Sequence, residues 1–193
     1  MNELILIRHG KSEYNARMTT SLDSALATEG IEQINRTGAG LAFLPHIDRF
    51  VGHVSPYLRT LQTAAIIKKH TGVNFKVTLG PREIMTFYEH CKIGDHLEHF
   101  TDFDWTEMPD IKDGIDVYNE DKETYLDRME RYVREEATDD QLIVVSHGIP
   151  VVTMMEMSMG IRRSPSNYFY VSNGSITHVS DSRLVRYNYV QGS

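Results

Sequence analysis

Leu4-Ile5-Leu6-Ile7-Arg8-His9-Gly10 decides how this chain is read, because four apolar residues stop abruptly at a cation, an imidazole and a glycine. A continuous apolar run of that length is the pattern of a strand buried on both faces of a parallel sheet. Sheets of that kind place their ligand sites just past the carboxyl ends of the strands. The pattern returns at Leu142-Ile143-Val144-Val145-Ser146-His147-Gly148. Two buried strands that each end in His-Gly predict two imidazoles delivered to one crevice.

Composition narrows the classes around that core. The chain has 193 residues, with 40% hydrophobic and 24% charged, so a sizeable core is expected and disorder is not. We expect a single domain over residues 1–193 with a cover segment at about 85–120. The formal net charge of -7 argues against nucleic acid or an acidic membrane as partner. Cys91 is the one cysteine, which excludes an intrachain disulfide. No apolar run approaches the roughly 20 residues that span a bilayer. A cytoplasmic location is the expectation. The acidity is local: between Asp95 and Glu123 the chain carries eleven acidic residues against two lysines.

Elements follow outward from the two strands. A helix is expected from about Thr28, as its cap, to before Pro45, with Ile31, Ile34 and Leu41 on one face. Phe50 to Val54 reads as a short strand. Ser55 and Pro56 then suit the cap and first turn of a helix running to about His70 and ending at Gly72. Its predicted inner face holds Leu58, Leu61, Ala65 and Ile66. Phe75 to Leu79 reads as a third strand. Short helices and loops over the carboxyl face of the sheet are expected for residues 85–114, and a long helix for Asp116 to Ala137. A helix from Pro150 stops at Gly160. Asn173-Gly174, flanked by Tyr168–Ser172 and Ser175–Val179, predicts a hairpin turn. Leu184 to Val190 reads as one further strand.

Several residues have the chemistry for an anion. Arg8 has a forked set of donors that matches phosphate oxygens. It lies beside His9 with no acidic neighbour in sequence, so an anion must come from elsewhere. Gly10 would let a ligand approach the backbone closely. Arg59 falls near the start of a predicted helix, whose amino end favours an anion. Each residue also has a plainer reading. A histidine after a strand commonly serves structure, Arg59 alone reads as a surface cation, and Glu83 alone reads as a cap or surface charge.

Taken together the motifs resemble those of the histidine phosphatase superfamily, also called phosphoglycerate-mutase-like. Arg8-His9-Gly10 with Ser12 and Asn15 resembles its signature. The run Ser55-Pro56-Tyr57-Leu58-Arg59-Thr60-Leu61-Gln62-Thr63-Ala64 resembles its second motif, and Glu83 and Ser146-His147-Gly148 follow in order. Leu26, Thr28, Gly30 and Gln33 resemble a turn and helix start of the family, with Ala27 where a threonine is commoner. The resemblance implies a three-layer α/β sandwich with a mostly parallel central sheet. It implies that His9 is a nucleophile forming a phosphohistidine, that Arg8, Arg59 and His147 hold the phosphoryl oxygens, and that Glu83 is the proton donor. Asn15 and Ser12 would bind substrate.

The chemistry agrees with those roles. Neutral imidazole is a good nucleophile, fixed cationic donors stabilise a transferring phosphoryl group, and a leaving alkoxide needs a proton. The expected activity is hydrolysis of a phosphomonoester on a small phosphorylated metabolite, without metal or cofactor. His90, Cys91, His96 and His99 do not have the spacing of a closed zinc site. Tyr88, His90 and Lys92 are candidate specificity residues. The aromatics Phe87, Tyr88, Phe100, Phe103 and Trp105 are expected to form a cover on the sheet and to reach the leaving-group side of the pocket. Two alternatives remain. A mutase would carry a basic pair in the insert, and none stands between Lys92 and Lys122, where the acidic cover would repel a polyanion. A phosphate- or phosphoprotein-binding module would keep the pocket without the chemistry. Oligomeric state, a homodimer included, is left open by the sequence.

Overall fold

The first apolar run is strand β1 (Glu3–Arg8) and the second His-Gly run is β6 (Gln141–Ser146). They pair in parallel, with Leu4 opposite Leu142 and Arg8 opposite Ser146. The computed structural model describes residues 3–85, 90–94, 99–106, 108, 114–161 and 169–191. Between and after the two strands lie α1 (Thr28–Leu41), β2 (Val51–Val54), α2 (Leu58–Thr71), β3 (Phe75–Val77), β4 (His90–Ile93), β5 (Ile115–Tyr118), α3 (Lys122–Arg131), α4 (Gly148–Ser158), β7 (Ile176–Ser180) and β8 (Arg183–Tyr189).

Six strands form one sheet in the order β3-β2-β6-β1-β7-β8, and β4 and β5 form a separate antiparallel pair. The first four strands are parallel, and β7 and β8 add an antiparallel edge. Strand alternation splits the core between two faces. Ile5, Ile7, Ile143 and Val145 pack with Ile34 and Leu41 of α1 and Leu61, Ala64 and Ile67 of α2. Leu4, Leu6, Leu142 and Val144 pack on the other face with Tyr125 and Met129 of α3 and Val151, Met154 and Met155 of α4. The result is the expected α/β arrangement of a mostly parallel sheet between two helical layers.

Several expectations change. Ile31 is 42% exposed, and α1 turns Gly30, Thr37 and Gly38 inward with Ile34. In α2 the buried pair is Ala64 and Ile67 rather than Ala65 and Ile66. Residues 115–118 are strand, and α3 starts only after Asp121, whose side chain accepts from the Thr124 N–H. Of the expected aromatic cover, Phe100, Phe103 and Trp105 do pack on the sheet. They join the core beside α2, and Asp104 bridges Lys76 so that this segment seals the outer edge of β3. The hairpin turn is Asp181-Ser182, both with positive φ (46° and 60°), and it links β7 to β8. Asn173-Gly174 does different work at the end of β1. No helix among the described residues is long and apolar enough to cross a membrane.

Candidate active site

Register brings the site together. With β6 between β1 and β2, three carboxyl ends lie side by side. His9 N–H donates to the Ser146 carbonyl at 2.9 Å, and Ser55 N–H donates to the Val145 carbonyl at 3.1 Å. Arg8-His9, Ser146-His147 and Ser55 therefore leave the sheet at one level. The His9 and His147 rings meet edge to face with centroids 5.3 Å apart.

Hydrogen bonds settle which ring nitrogens face the crevice. His9 Nδ1 lies 2.7 Å from the Gly10 carbonyl oxygen, an acceptor only, so Nδ1 carries the proton. Arg59 Nε donates to His9 Nε2 at 3.3 Å, so the lone pair is on Nε2. Arg59 Nη2 donates to His147 Nδ1 at 3.2 Å, leaving the proton of that neutral ring on Nε2, 2.8 Å from Ser55 Oγ. Both imidazoles are held well below their ordinary pKa. Burial is the largest cause for each, followed by the Arg59 cation.

Arg59 is 9% exposed and anchored by a 2.6 Å bond from Nη1 to the Leu22 carbonyl. Its guanidinium carbon also lies 4.5 Å from the Tyr57 ring centroid, and Tyr57 packs edge to face on His147. The amino end of α2 is already occupied, because Asp23 Oδ1 accepts from the Leu58 N–H at 2.7 Å. Arg8 is held by the Val171 carbonyl, but its buried Nε has no hydrogen-bond partner among the described residues. Leaving such a donor unmet costs about 1–3 kcal/mol, so the site is built for an acceptor. Gly10 has a packing reason of its own. A β-carbon there would sit 2.6 Å from the Gly30 carbonyl, so the glycine lets the loop pack on α1.

Glu83 follows β3 in a loop tied to the end of β6 by a 2.6 Å bond from Ser146 Oγ to the Pro81 carbonyl. Burial raises the pKa of its carboxyl, opposed by Arg59, the Ile84 N–H, Arg8 and Arg128. Asn15 is exposed, and its Oδ1 accepts from Ser12 Oγ at 3.1 Å and Asn173 Nδ2 at 3.2 Å. Ser12 is committed to this turn, because its Oγ also accepts from the Asn15 N–H. Asn173 and Gly174 hold the end of β1, donating to the carbonyls of His9 and of Arg8 and His9, respectively.

His90 is not brought to the two imidazoles. It is exposed on β4 and paired with Asp116 at 2.6 Å, as the alternation of a strand requires when Ile93 packs inward under Tyr57. Lys92 shares the exposed side with His90, whereas Cys91 faces Asp23 and Arg59. Tyr88, Phe87 and His96 lie outside the described residues.

A sequence model of the histidine phosphatase superfamily (branch 1) matches residues 4–183. The chain belongs to this superfamily. Solved structures share the fold of this histidine phosphatase chain at low identity. A putative α-ribazole-5'-P phosphatase from Escherichia coli K-12 is similar with a TM-score of 0.70 and 17% identity, covering 100% of this chain and 99% of that one. The phosphoserine phosphatase of Entamoeba histolytica, in complex with 3-phosphoglyceric acid, gives 0.66 and 21%, covering 99% and 98%. A mycobacterial glucosyl-3-phosphoglycerate phosphatase in complex with VO3 gives 0.62 and 18%, covering 97% and 99%. The comparison with curated proteins gave no match.

Three residues around this site carry functions that their sequence context hid. Ser55 reads as a helix cap yet bonds His147, while Tyr57 takes the cap position of α2. Asp23 sits in a polar stretch with no pattern, yet it also accepts from the Gly94 N–H at 2.9 Å and so joins β4 to α2.

Proposed function

We propose that the protein is a phosphomonoesterase that works through a phosphohistidine on His9. What supports the reading most is a neutral His9 whose Nε2 lone pair faces the same space as two guanidiniums. With both imidazoles neutral, Arg8 and Arg59 bring two positive charges to the crevice, opposite in sign to a phosphoryl dianion. Similarity in fold to proteins named as phosphatases agrees with this reading.

The substrate's oxygens take over the Arg59 donors and satisfy the Arg8 Nε. Freed of Arg59, His9 Nε2 attacks phosphorus, and the P–O ester bond breaks as the P–N bond forms. The alkoxide leaves with the Glu83 proton. Water then attacks the phosphohistidine, gives a proton to the Glu83 carboxylate, and returns His9 to its starting state. His147 donates to a phosphoryl oxygen from Nδ1 in its other tautomer, reached when Nε2 gives its proton to solvent and Nδ1 takes one from solvent, with Nε2 then accepting from the Ser55 hydroxyl. The two guanidiniums stabilise charge on the transferring group without reorganising.

Phosphate release from p-nitrophenyl phosphate and from a panel of phosphorylated metabolites tests the proposal. Turnover without a bisphosphorylated primer is expected. No release between pH 5 and 8 would overturn it in favour of a binding role.

A further inference from the structure

The loop that carries Glu83 has no regular secondary structure, yet its backbone is held at successive points. Arg128 of α3 donates from Nη1 to the Gly80 carbonyl at 2.5 Å and to the Arg82 carbonyl at 3.3 Å. Ser146 holds the Pro81 carbonyl between them. Past the glutamate, the Glu120 N–H donates to the Met85 carbonyl at 3.0 Å. Gly80 lies against Tyr132, where a β-carbon would meet the ring at 2.0 Å, so only glycine lets the loop approach.

Arg128 is itself oriented. It is 7% exposed, and Glu120, 5% exposed, accepts from its Nε at 3.0 Å and from its Nη2. Glu120 also accepts from Arg82 Nη2 at 3.0 Å. An acidic residue from the run that reads as a repelling cover is thus a buried counterion. Buried ion clusters add little net stability over apolar packing. What this one supplies is direction: a planar fork locked on one edge by a carboxylate has its remaining Nη1 fixed on the other.

We propose that Arg128, oriented by Glu120, is the positioning residue for Glu83, fixing the carbonyls on either side of Pro81 and so the stance of the carboxyl group over the crevice. The inference rests on Glu83 being the proton donor. Charge reaches the acid as well. The groups that face it are Arg8 of β1, Tyr57 and Arg59 at the start of α2, Tyr125 and Arg128 of α3, and the Ile84 N–H. The arginines oppose the effect of burial, so removing the Arg128 charge makes Glu83 hold its proton to higher pH.

Three variants separate these effects. Arg128→Lys keeps the charge without the fork, Glu120→Gln unlocks the fork, and the double variant Arg128→Met/Glu120→Met removes both charges of the pair together, leaving the Arg82 guanidinium, 16% exposed, without its carboxylate. The readouts are kcat/KM for glycerol phosphate and for p-nitrophenyl phosphate, and the Glu83 carboxyl titration by 13C NMR, assigned with Glu83→Gln. The double variant is expected to lose roughly 10–100-fold on the alkyl ester and under about threefold on the nitrophenyl ester, with Glu83 titrating at higher pH. Arg128→Lys should lose turnover of the alkyl ester with little change in that titration. Should the double variant not fold, the two single variants decide by the same comparison. Equal losses on both esters with an unchanged titration would overturn the proposal and reduce the cluster to a fold contact. A wild-type protein that hydrolyses neither ester would refute the catalytic reading instead, and the Glu83 titration would still decide the positioning.

Discussion

Two strands end in the same dipeptide, and the two copies are used in opposite ways. His9 turns Nδ1 back to the Gly10 carbonyl and presents Nε2, whereas His147 turns Nε2 to Ser55 and presents Nδ1. Gly10 is pressed against α1, whereas Gly148 opens α4, where a side chain would meet the Arg8 guanidinium at about 3.5 Å. One His-Gly thus exposes a lone pair held free of any proton donor other than Arg59. The other bonds a hydroxyl, which can donate or accept, so its tautomer is not fixed by a carbonyl. A shared motif delivers two rings to one place, and the neighbours of each ring decide which nitrogen it presents; the proposed roles of nucleophile and donor rest on that difference.

The comparison breaks most visibly if the roles are exchanged. His9→Ala should lower turnover by at least about 10⁴-fold, because its ring is the one whose tautomer is fixed by a carbonyl, with Nδ1 protonated and the lone pair on Nε2. His147→Gln keeps a donor near that place and should cost about 10²–10³-fold in kcat, the usual loss for a transition-state hydrogen bond. Steady-state hydrolysis of p-nitrophenyl phosphate measures both. If the losses were equal, or reversed, the assignment of the two rings would be wrong. Ser55→Ala acts on His147 alone and should cost roughly tenfold in turnover and about 1–3 kcal/mol in stability, because the buried His147 Nε2 loses its partner. A loss as large as that of His9→Ala would mean that Ser55 touches the substrate.

A smaller effect separates the rings from their surroundings by pH. Both histidines have a folded pKa below the unfolded value of about 6.5. Below that pH the unfolded chain takes up protons that the native state refuses, so their contribution disfavours folding as pH falls through 6.5 and below. Denaturant midpoints for wild type and His9→Gln/His147→Gln should therefore converge between pH 7 and 5, with the wild type losing more. Parallel curves would show that neither ring is held neutral by burial. The same shifts set the activity profile. His9 stays unprotonated below pH 6.5, and Glu83 stays protonated above the ordinary carboxylate range, so the productive window extends into mild acid.

The sheet and the His-Gly pair were legible because a run buried on both faces needs no alternation, and its end marks the site. Arg59 was legible only through its motif, since its burial depends on Leu22 and Tyr57 closing over it. The segment from Glu83 to Glu120 was not legible. His90-Cys91-Lys92-Ile93 and Ile115-Asp116-Val117-Tyr118 are too short and too polar to declare a strand pair before they meet. Glu120 read as part of a repelling acidic cover because its two arginine partners lie 38 and 8 residues away. Asn173-Gly174 misled for a related reason: the turn chemistry was real, with Gly174 at φ 71°, but it serves the end of β1. Asp181-Ser182 made the hairpin without glycine, since a short polar side chain also tolerates positive φ.

The most direct measurement is acid-free quenching of wild-type protein during turnover of a 32P-labelled monoester, followed by peptide mapping and 31P NMR. The account predicts label on His9 alone, as a phosphoramidate at Nε2 that is stable to alkali and lost in acid. Label on His147, label at Nδ1 of His9, or turnover with no labelled protein at any time would contradict it.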